Sequence, residues 1–166
     1  MLRVVAGAAM LCLSIPALAQ PTDMAVKAAF LPRFARYVTW PPTAMPRGSE
    51  PFVLCVVGSD PFGGALDDAA RSQLIDGRRV VVRRMGSLAG VDGCQIAFLG
   101  SSQFVGQMGS RAILTVTDSA STNQRGIIHF VIAGGRVRFF IDQARAAQRG
   151  LSISSRLLAL AVGVNQ

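Results

Sequence analysis

Three short polar segments are the residues of this sequence whose types and placement could support ligand chemistry. They are Gly58-Ser59-Asp60, Ser101-Ser102 and Thr117-Asp118, and each follows an apolar stretch typical of a buried β-strand. In an open α/β sheet, ligands bind beside the carboxyl ends of parallel strands, and free backbone N–H groups at helix starts favour anions. The sequence therefore predicts a small-anion site made of Ser59, Asp60, Ser101, Ser102, Thr117 and Asp118. The alternative is that these residues only cap helices and turns, the commoner use of Ser and Asp.

Catalytic and metal-binding patterns are missing from the sequence. It contains no H-E-x-x-H, no Walker A motif, no G-x-S-x-G and no C-x-x-C. His129 is the only histidine, and we interpret it as structural, because a catalytic histidine needs an orienting carboxylate and a nucleophile that cannot be assigned here. A single histidine also argues against a zinc site. We therefore expect a protein that is not an enzyme and that carries no metal or cofactor.

The N-terminal 19 residues have the pattern of a secretory signal peptide. A basic start at residues 1–3 precedes an apolar stretch at residues 4–15 and a small-x-small site at residues 17–19. We expect cleavage after Ala19, which leaves residues 20–166 as a single α/β domain; a retained anchor is the alternative. Cys12 would leave with the signal peptide.

Two cysteines, Cys55 and Cys94, remain after that cleavage. An even pair in an oxidising compartment is typical of a disulfide, and two buried free thiols are the alternative. The bridge would span a sequence separation of 39 residues. Because Cys55 lies in the first buried strand and Cys94 directly precedes the third, we expect it to tie these elements together across the second. Such a bridge is a structural clamp rather than a catalytic redox pair.

The chain is strongly basic, with 17 Lys+Arg against 9 Asp+Glu and a formal net charge of +8. For an exported protein, the expected counterparts are an anionic lipid surface, an acidic partner domain or a small anion rather than nucleic acid. A solvated basic surface is the alternative. Aromatic and arginine side chains are frequent interface anchors. The candidate partner-binding residues on the first and last helices are Arg33, Arg36, Tyr37, Trp40 and Arg156, with a core role as the alternative for Trp40.

The first helix is predicted to run to about Val38 with Asp23 as its N-cap, and a last helix from Arg156 to about Val162. The apolar face of the first helix would consist of Val26, Phe30, Phe34 and Val38. Lys27 lies off this face, and Pro32 predicts a kink or a break.

Six strands are predicted, at residues 52–57, 79–84, 95–99, 112–116, 127–133 and 136–141. Asp60 would cap a helix that begins at Pro61. Gly134-Gly135 between the last two strands is a strong hairpin signal. Strands alternating with helices, followed by a hairpin, predict an α/β fold: a three-layer-like mixed sheet of about six strands, with a parallel core and an antiparallel C-terminal hairpin, flanked by helices.

Six ordered segments make the chain resemble the YfiR family of periplasmic regulators over nearly all of its mature length. They are KAAFLPRFARYVTWP from Lys27, FVLCVVGSDPFG from Phe52, GCQIAFLGSS from Gly93, ILTVTD from Ile113, RVRFFID from Arg136 and GLSISSRLLALA from Gly150. The resemblance implies a small periplasmic α/β protein, often a homodimer, without catalytic activity. It would bind the periplasmic sensor domain of an inner-membrane diguanylate cyclase and repress it, which would control cyclic di-GMP and biofilm formation.

The resemblance also concerns the cysteines. Cys55 and Cys94 match the disulfide pair of the family, whose oxidation state is implied to affect the stability and activity of the repressor. A second disulfide of some members has no counterpart here, and Pro32 stands where an aromatic residue is common. Some relatives are sensor modules of histidine kinases. The alternative function is therefore a periplasmic small-anion sensor module that acts on a membrane histidine kinase or another receptor.

Overall fold

The computed structural model describes residues 21–166. The predicted signal peptide, with Cys12, lies outside these residues. Among the described residues, no helix is both long and apolar enough to cross a membrane.

The described residues form ten strands and five α-helices. The strands are β1 (Val38–Thr39), β2 (Phe52–Val57), β3 (Leu74–Ile75), β4 (Arg78–Met85), β5 (Ile96–Leu99), β6 (Leu114–Asp118), β7 (Ile128–Ala133), β8 (Arg136–Asp142), β9 (Ser152–Ile153) and β10 (Gly163–Asn165). The helices are α1 (Asp23–Phe34), α2 (Gly64–Arg71), α3 (Ser102–Gln107), α4 (Gln143–Gln148) and α5 (Ser155–Leu158).

The main sheet has eight strands in the order β10-β8-β7-β6-β5-β2-β4-β3. Neighbours from β4 through β2, β5 and β6 to β7 run parallel, while β7 and β8 form an antiparallel hairpin. The predicted α/β class, parallel core and C-terminal hairpin are thus confirmed. The two additional strands, β3 and β10, are edge strands of two and three residues, too short to leave a periodic pattern in the sequence.

Hydrophobic cores lie on both faces of the sheet, because successive side chains of a strand point to opposite faces. Leu54 and Val56 of β2 belong to a larger core with residues of α1 and α2. Val53, Cys55 and Val57 belong to a second core with residues of α3. All six residues of β2 are buried, as expected for a central strand covered on both faces.

The first helix is shorter than predicted. The prediction of Asp23 as its N-cap was wrong: the cap is Thr22, whose side chain accepts from the amide of Ala25. The helix continues through Pro32 and ends at Phe34. The following residues form a 3-10 turn, and Val38 opposite Ile153 starts the antiparallel two-stranded ribbon of β1 and β9. The prediction of one helix up to Val38 was wrong because this pairing with a segment more than 100 residues away extends the backbone.

The last helix is also shorter than predicted, since it ends at Leu158. The chain then returns to the sheet as β10, parallel to β8, with Gly163 opposite Phe140. A Cβ atom at Gly163 would lie 2.9 Å from the Phe140 ring, so a larger residue at this position would have to displace that ring.

Candidate functional site

The three polar segments of the predicted anion site lie at one end of the sheet, the edge where the parallel strands β2, β5 and β6 finish. Strands β2, β5 and β6 are parallel neighbours, so Ser59, Ser101 and Asp118 follow or end strands whose carboxyl ends point the same way. The geometry expected from the sequence is therefore present. What the polar groups contact at this edge decides which chemistry they can perform.

Asp118 forms a buried ion pair. Its Oδ2 atom lies 2.7 Å from Nζ of Lys27, and the two side chains are 0 % and 2 % exposed. Its Oδ1 atom accepts from the amide of Ala120 at 3.1 Å. Both carboxylate oxygens are thus occupied inside the protein, so Asp118 connects α1 to the end of β6.

The position of Lys27 corrects the predicted face of α1. The buried residues of this helix are Lys27, Ala28, Leu31, Pro32 and Phe34, so the buried stripe is rotated relative to the predicted one. The sequence signal that could have revealed it is that the only lysine of the chain stands among apolar residues, four positions before Leu31.

Thr117 points to the opposite face of the sheet from Asp118. Its Oγ1 atom accepts from the amide of Gly126 at 2.8 Å and lies 2.8 Å from Nδ1 of His129. His129 is 4 % exposed, and burial, together with the positive charge of Arg125, lowers its pKa. The contact with the hydroxyl of Thr117 fits the interpretation of His129 as a structural histidine that is neutral at neutral pH.

Asp60 belongs to a surface network around Arg84. Its Oδ2 atom accepts from Nε of Arg84 at 2.6 Å, and Asp67 accepts from Nη2 of the same guanidinium at 2.8 Å. Partial burial acts to raise the pKa of Asp60, but hydrogen bonds from Arg84 and from the amide of Phe62 hold it below its usual value. The prediction that Asp60 caps a helix was wrong: its side chain accepts from the amides of Phe62 and Gly63, and the next helix begins only at Gly64.

The remaining polar groups at this edge are three serines. Ser102 lies 2.5 Å from the hydroxyl of Thr122, and Gly100 packs against the backbone of Ser59. The cations in contact with these residues, Arg84 and Lys27, are already paired with Asp60 and Asp118, so they attract an incoming anion less than free cations would. A small-anion site made of these residues stays a prediction, and the structure gives most of them internal partners.

The structure contains the expected disulfide between Cys55 and Cys94, with a Cα–Cα distance of 5.9 Å. The two residues are 0 % and 2 % exposed and lie in the second core. The expectation that the bridge crosses the second strand was wrong, because β4 and β5 flank β2 on opposite sides. The bridge joins β2 directly to the segment that enters its neighbour β5, so it clamps the centre of the sheet.

Four of the five candidate partner-binding residues lie on the segments next to β1 and β9 along the chain: α1, the 3-10 turn and α5. Arg33, Arg36 and Arg156 are exposed, and Tyr37 is half-buried. The amide of Ser154 donates to the carbonyl of Tyr37 at 2.8 Å, which brings the start of α5 beside the end of the 3-10 turn. We call Arg33, Arg36, Tyr37 and Arg156 the ribbon surface.

Trp40, the fifth candidate, is a core residue. It is 6 % exposed, and its indole Nε1 donates to the carbonyl of Gln95 at 3.1 Å. Its ring packs edge-to-face on Phe52 with the centroids 5.4 Å apart. Trp40 is therefore not the exposed interface anchor that we predicted, because its ring is part of the larger core.

Comparison with known proteins supports one family. A family model described as YfiR/HmsC-like matches residues 24–162, a span that contains the disulfide, the ion pair and the ribbon surface. The search of curated proteins returned no match.

Proposed function

The chain belongs to the YfiR/HmsC-like family, whose members are regulatory and non-catalytic, and we propose that it represses an inner-membrane diguanylate cyclase. In this proposal, a signal peptide at residues 1–19 exports residues 20–166 to the periplasm as one domain. The exported domain, as a homodimer, binds the periplasmic sensor domain of the cyclase and holds the enzyme inactive. Release of the repressor then raises cyclic di-GMP and promotes biofilm formation.

The observation that carries the proposal is the family match over residues 24–162. The ribbon surface supports it with a physical mode of binding: three exposed arginines and a half-buried tyrosine lie on the segments that flank β1 and β9, and arginine and tyrosine are enriched among the residues that dominate interface energies. Without Arg3 of the signal peptide, the exported residues carry 16 Lys+Arg against 9 Asp+Glu, a formal net charge of 16 − 9 = +7. This charge would be complementary to an acidic sensor domain, and such complementarity speeds association and restricts the choice of partner.

The experiment combines binding and cellular output. The mature chain is mixed with the periplasmic domain of a diguanylate cyclase encoded beside it, and cyclic di-GMP is measured in cells with and without the regulator. We expect co-purification, and a rise of cyclic di-GMP on deletion. The double variant Arg36→Glu/Arg156→Glu should weaken the complex by at least about ten-fold, because each reversal places a like charge against an acidic partner.

The matched control is Arg138→Glu, which reverses an exposed arginine on β8. Its neighbour Phe139 packs on Phe34 of α1, so Arg138 points to the face of the sheet opposite α1. This variant should leave the affinity within about two-fold of the wild type. An equal loss in the control would refute the ribbon surface as the binding site. If the chain neither binds the cyclase domain nor alters cyclic di-GMP, the repressor function itself is refuted, and binding to a histidine-kinase sensor domain instead would support the alternative.

A further inference from the structure

A second basic region contains none of the residues of the ribbon surface or of the predicted anion site. A cleft of about 420 Å³ is lined by Arg125, Arg145 and Arg149, together with Val105, Gly106, Gly109 and Gln124. We call it the arginine cleft. Its volume lies in the range of small-molecule sites, roughly 300–1,000 Å³, and none of its lining residues carries a carboxylate.

The fold brings the three arginines together from two elements. Arg145 and Arg149 stand four positions apart at and just beyond α4, a spacing that places them on one side of a helix. Arg125 lies in the loop between β6 and β7, and its guanidinium stacks 4.3 Å above the ring of Phe140. A guanidinium nitrogen of Arg145 donates to the carbonyl of Arg125, which joins the loop to the helix.

These positive charges are only partly compensated within the protein. Asp142 contacts one of them: its Oδ2 atom lies 3.5 Å from Nε of Arg145, and its Oδ1 atom caps α4 at the amide of Arg145. Arg149 reaches the hydroxyl of Thr115 at 3.4 Å. Burial and the neighbouring charge of Arg145 lower the pKa of Arg149. Three cations against one engaged anion leave an excess of about two positive charges, which a bound dianion would neutralise.

We propose that the arginine cleft binds a small phosphate-bearing anion, either inorganic phosphate or a phosphate monoester. Guanidinium groups match phosphate oxygens through paired N–H donors, and a phosphate dianion carries the charge that the cleft lacks. The concave, glycine-lined wall formed by Gly106 and Gly109 favours a compact ligand over a membrane surface. This inference goes beyond the proposed function and holds whether or not the cyclase is the partner.

The test is calorimetric titration of the mature chain at low salt with inorganic phosphate and with glycerol 3-phosphate. We expect saturable binding of at least one probe. Arg145→Gln and Arg149→Gln should each weaken it by about ten-fold or more, because each removes a positive charge and charge-assisted hydrogen bonds to the phosphate. Arg149→Lys, which keeps the charge but loses the paired donors, should give a smaller loss. Arg79→Gln, an exposed arginine on β4, is the control and should bind like the wild type.

Several outcomes would overturn the inference. These are no saturable binding of either probe, unchanged affinity in both glutamine variants, or an equal loss in Arg79→Gln. Titration with phosphatidylglycerol vesicles separates the two sources of phosphate: binding of vesicles without binding of the free phosphates would assign this surface to lipid and refute a small-molecule cleft. Circular dichroism checks that each variant folds, and if Arg149→Gln does not, the less buried Arg145→Gln decides.

Discussion

Replacing Lys27 by methionine tests whether the buried ion pair holds α1 against the end of β6. The substitution removes the ammonium group that lies 2.7 Å from Asp118 and fills its space with an apolar chain of similar length. Asp118, 0 % exposed, would keep only the amide of Ala120 as a side-chain hydrogen-bond partner. Removing one partner of a buried pair costs about 3–5 kcal/mol, because the other charge stays buried without compensation.

That cost is large compared with the net stability of a domain, which is about 5–15 kcal/mol. For a domain of this size, 1 kcal/mol corresponds to about 2–4 °C in Tm, so Lys27→Met should lower the Tm by roughly 6–20 °C. Urea unfolding followed by circular dichroism measures the free energy of unfolding, and an unchanged m-value shows that the loss is one of stability.

Two further variants make this prediction specific to the pair. Lys27→Met/Asp118→Asn removes both charges while keeping an oxygen for the amide of Ala120, and it should lose about 1–3 kcal/mol less than the sum of the single variants. Arg71→Met breaks the exposed pair with Asp68, whose side chains are 71 % and 72 % exposed, and should cost less than about 1 kcal/mol. The reasoning is refuted if Lys27→Met costs no more than Arg71→Met, or if the two single variants are additive.

Two other predictions concern the disulfide and the histidine. Reduction of the wild type, or Cys55→Ala/Cys94→Ala, should lower stability by about 4 kcal/mol, since the bridge closes a loop with a sequence separation of 39; equal melting with and without reductant would exclude a clamp. The lowered pKa of His129 means that the unfolded state binds more protons below pH about 6.5, so stability should fall as the pH drops through this range. His129→Gln should flatten that fall in urea midpoints measured from pH 7.5 to 5, and an identical pH dependence would show that His129 is not its cause.

Much of the sheet follows from local sequence signals. Short-range patterns predict these strands: the apolar runs of β2 and β5, and the Gly134-Gly135 turn between β7 and β8. Strands as apolar as β2 and β5 need both faces covered, which a parallel sheet between helices provides. The disulfide could also be predicted from the sequence, because two cysteines in an exported chain allow only one intramolecular bridge. Strands β3 and β10 could not be predicted, since a segment of two or three residues shows no periodicity.

The sequence by itself determined the class of fold, the parallel core with its hairpin, and the identity of the cysteine pair. Only the tertiary structure decided the order of the strands, in which β4 and β5 flank β2 on opposite sides and the disulfide joins β2 to the segment that enters β5. The same is true of the ribbon of β1 and β9, whose pairing ends the first helix before Val38. The tertiary structure also decided which charged residues contact each other. Lys27 and Asp118 are 91 positions apart, and Arg125 meets Arg145 from a different element. Contacts at such separations depend on the packing of whole elements, which residue spacing along the chain does not encode locally.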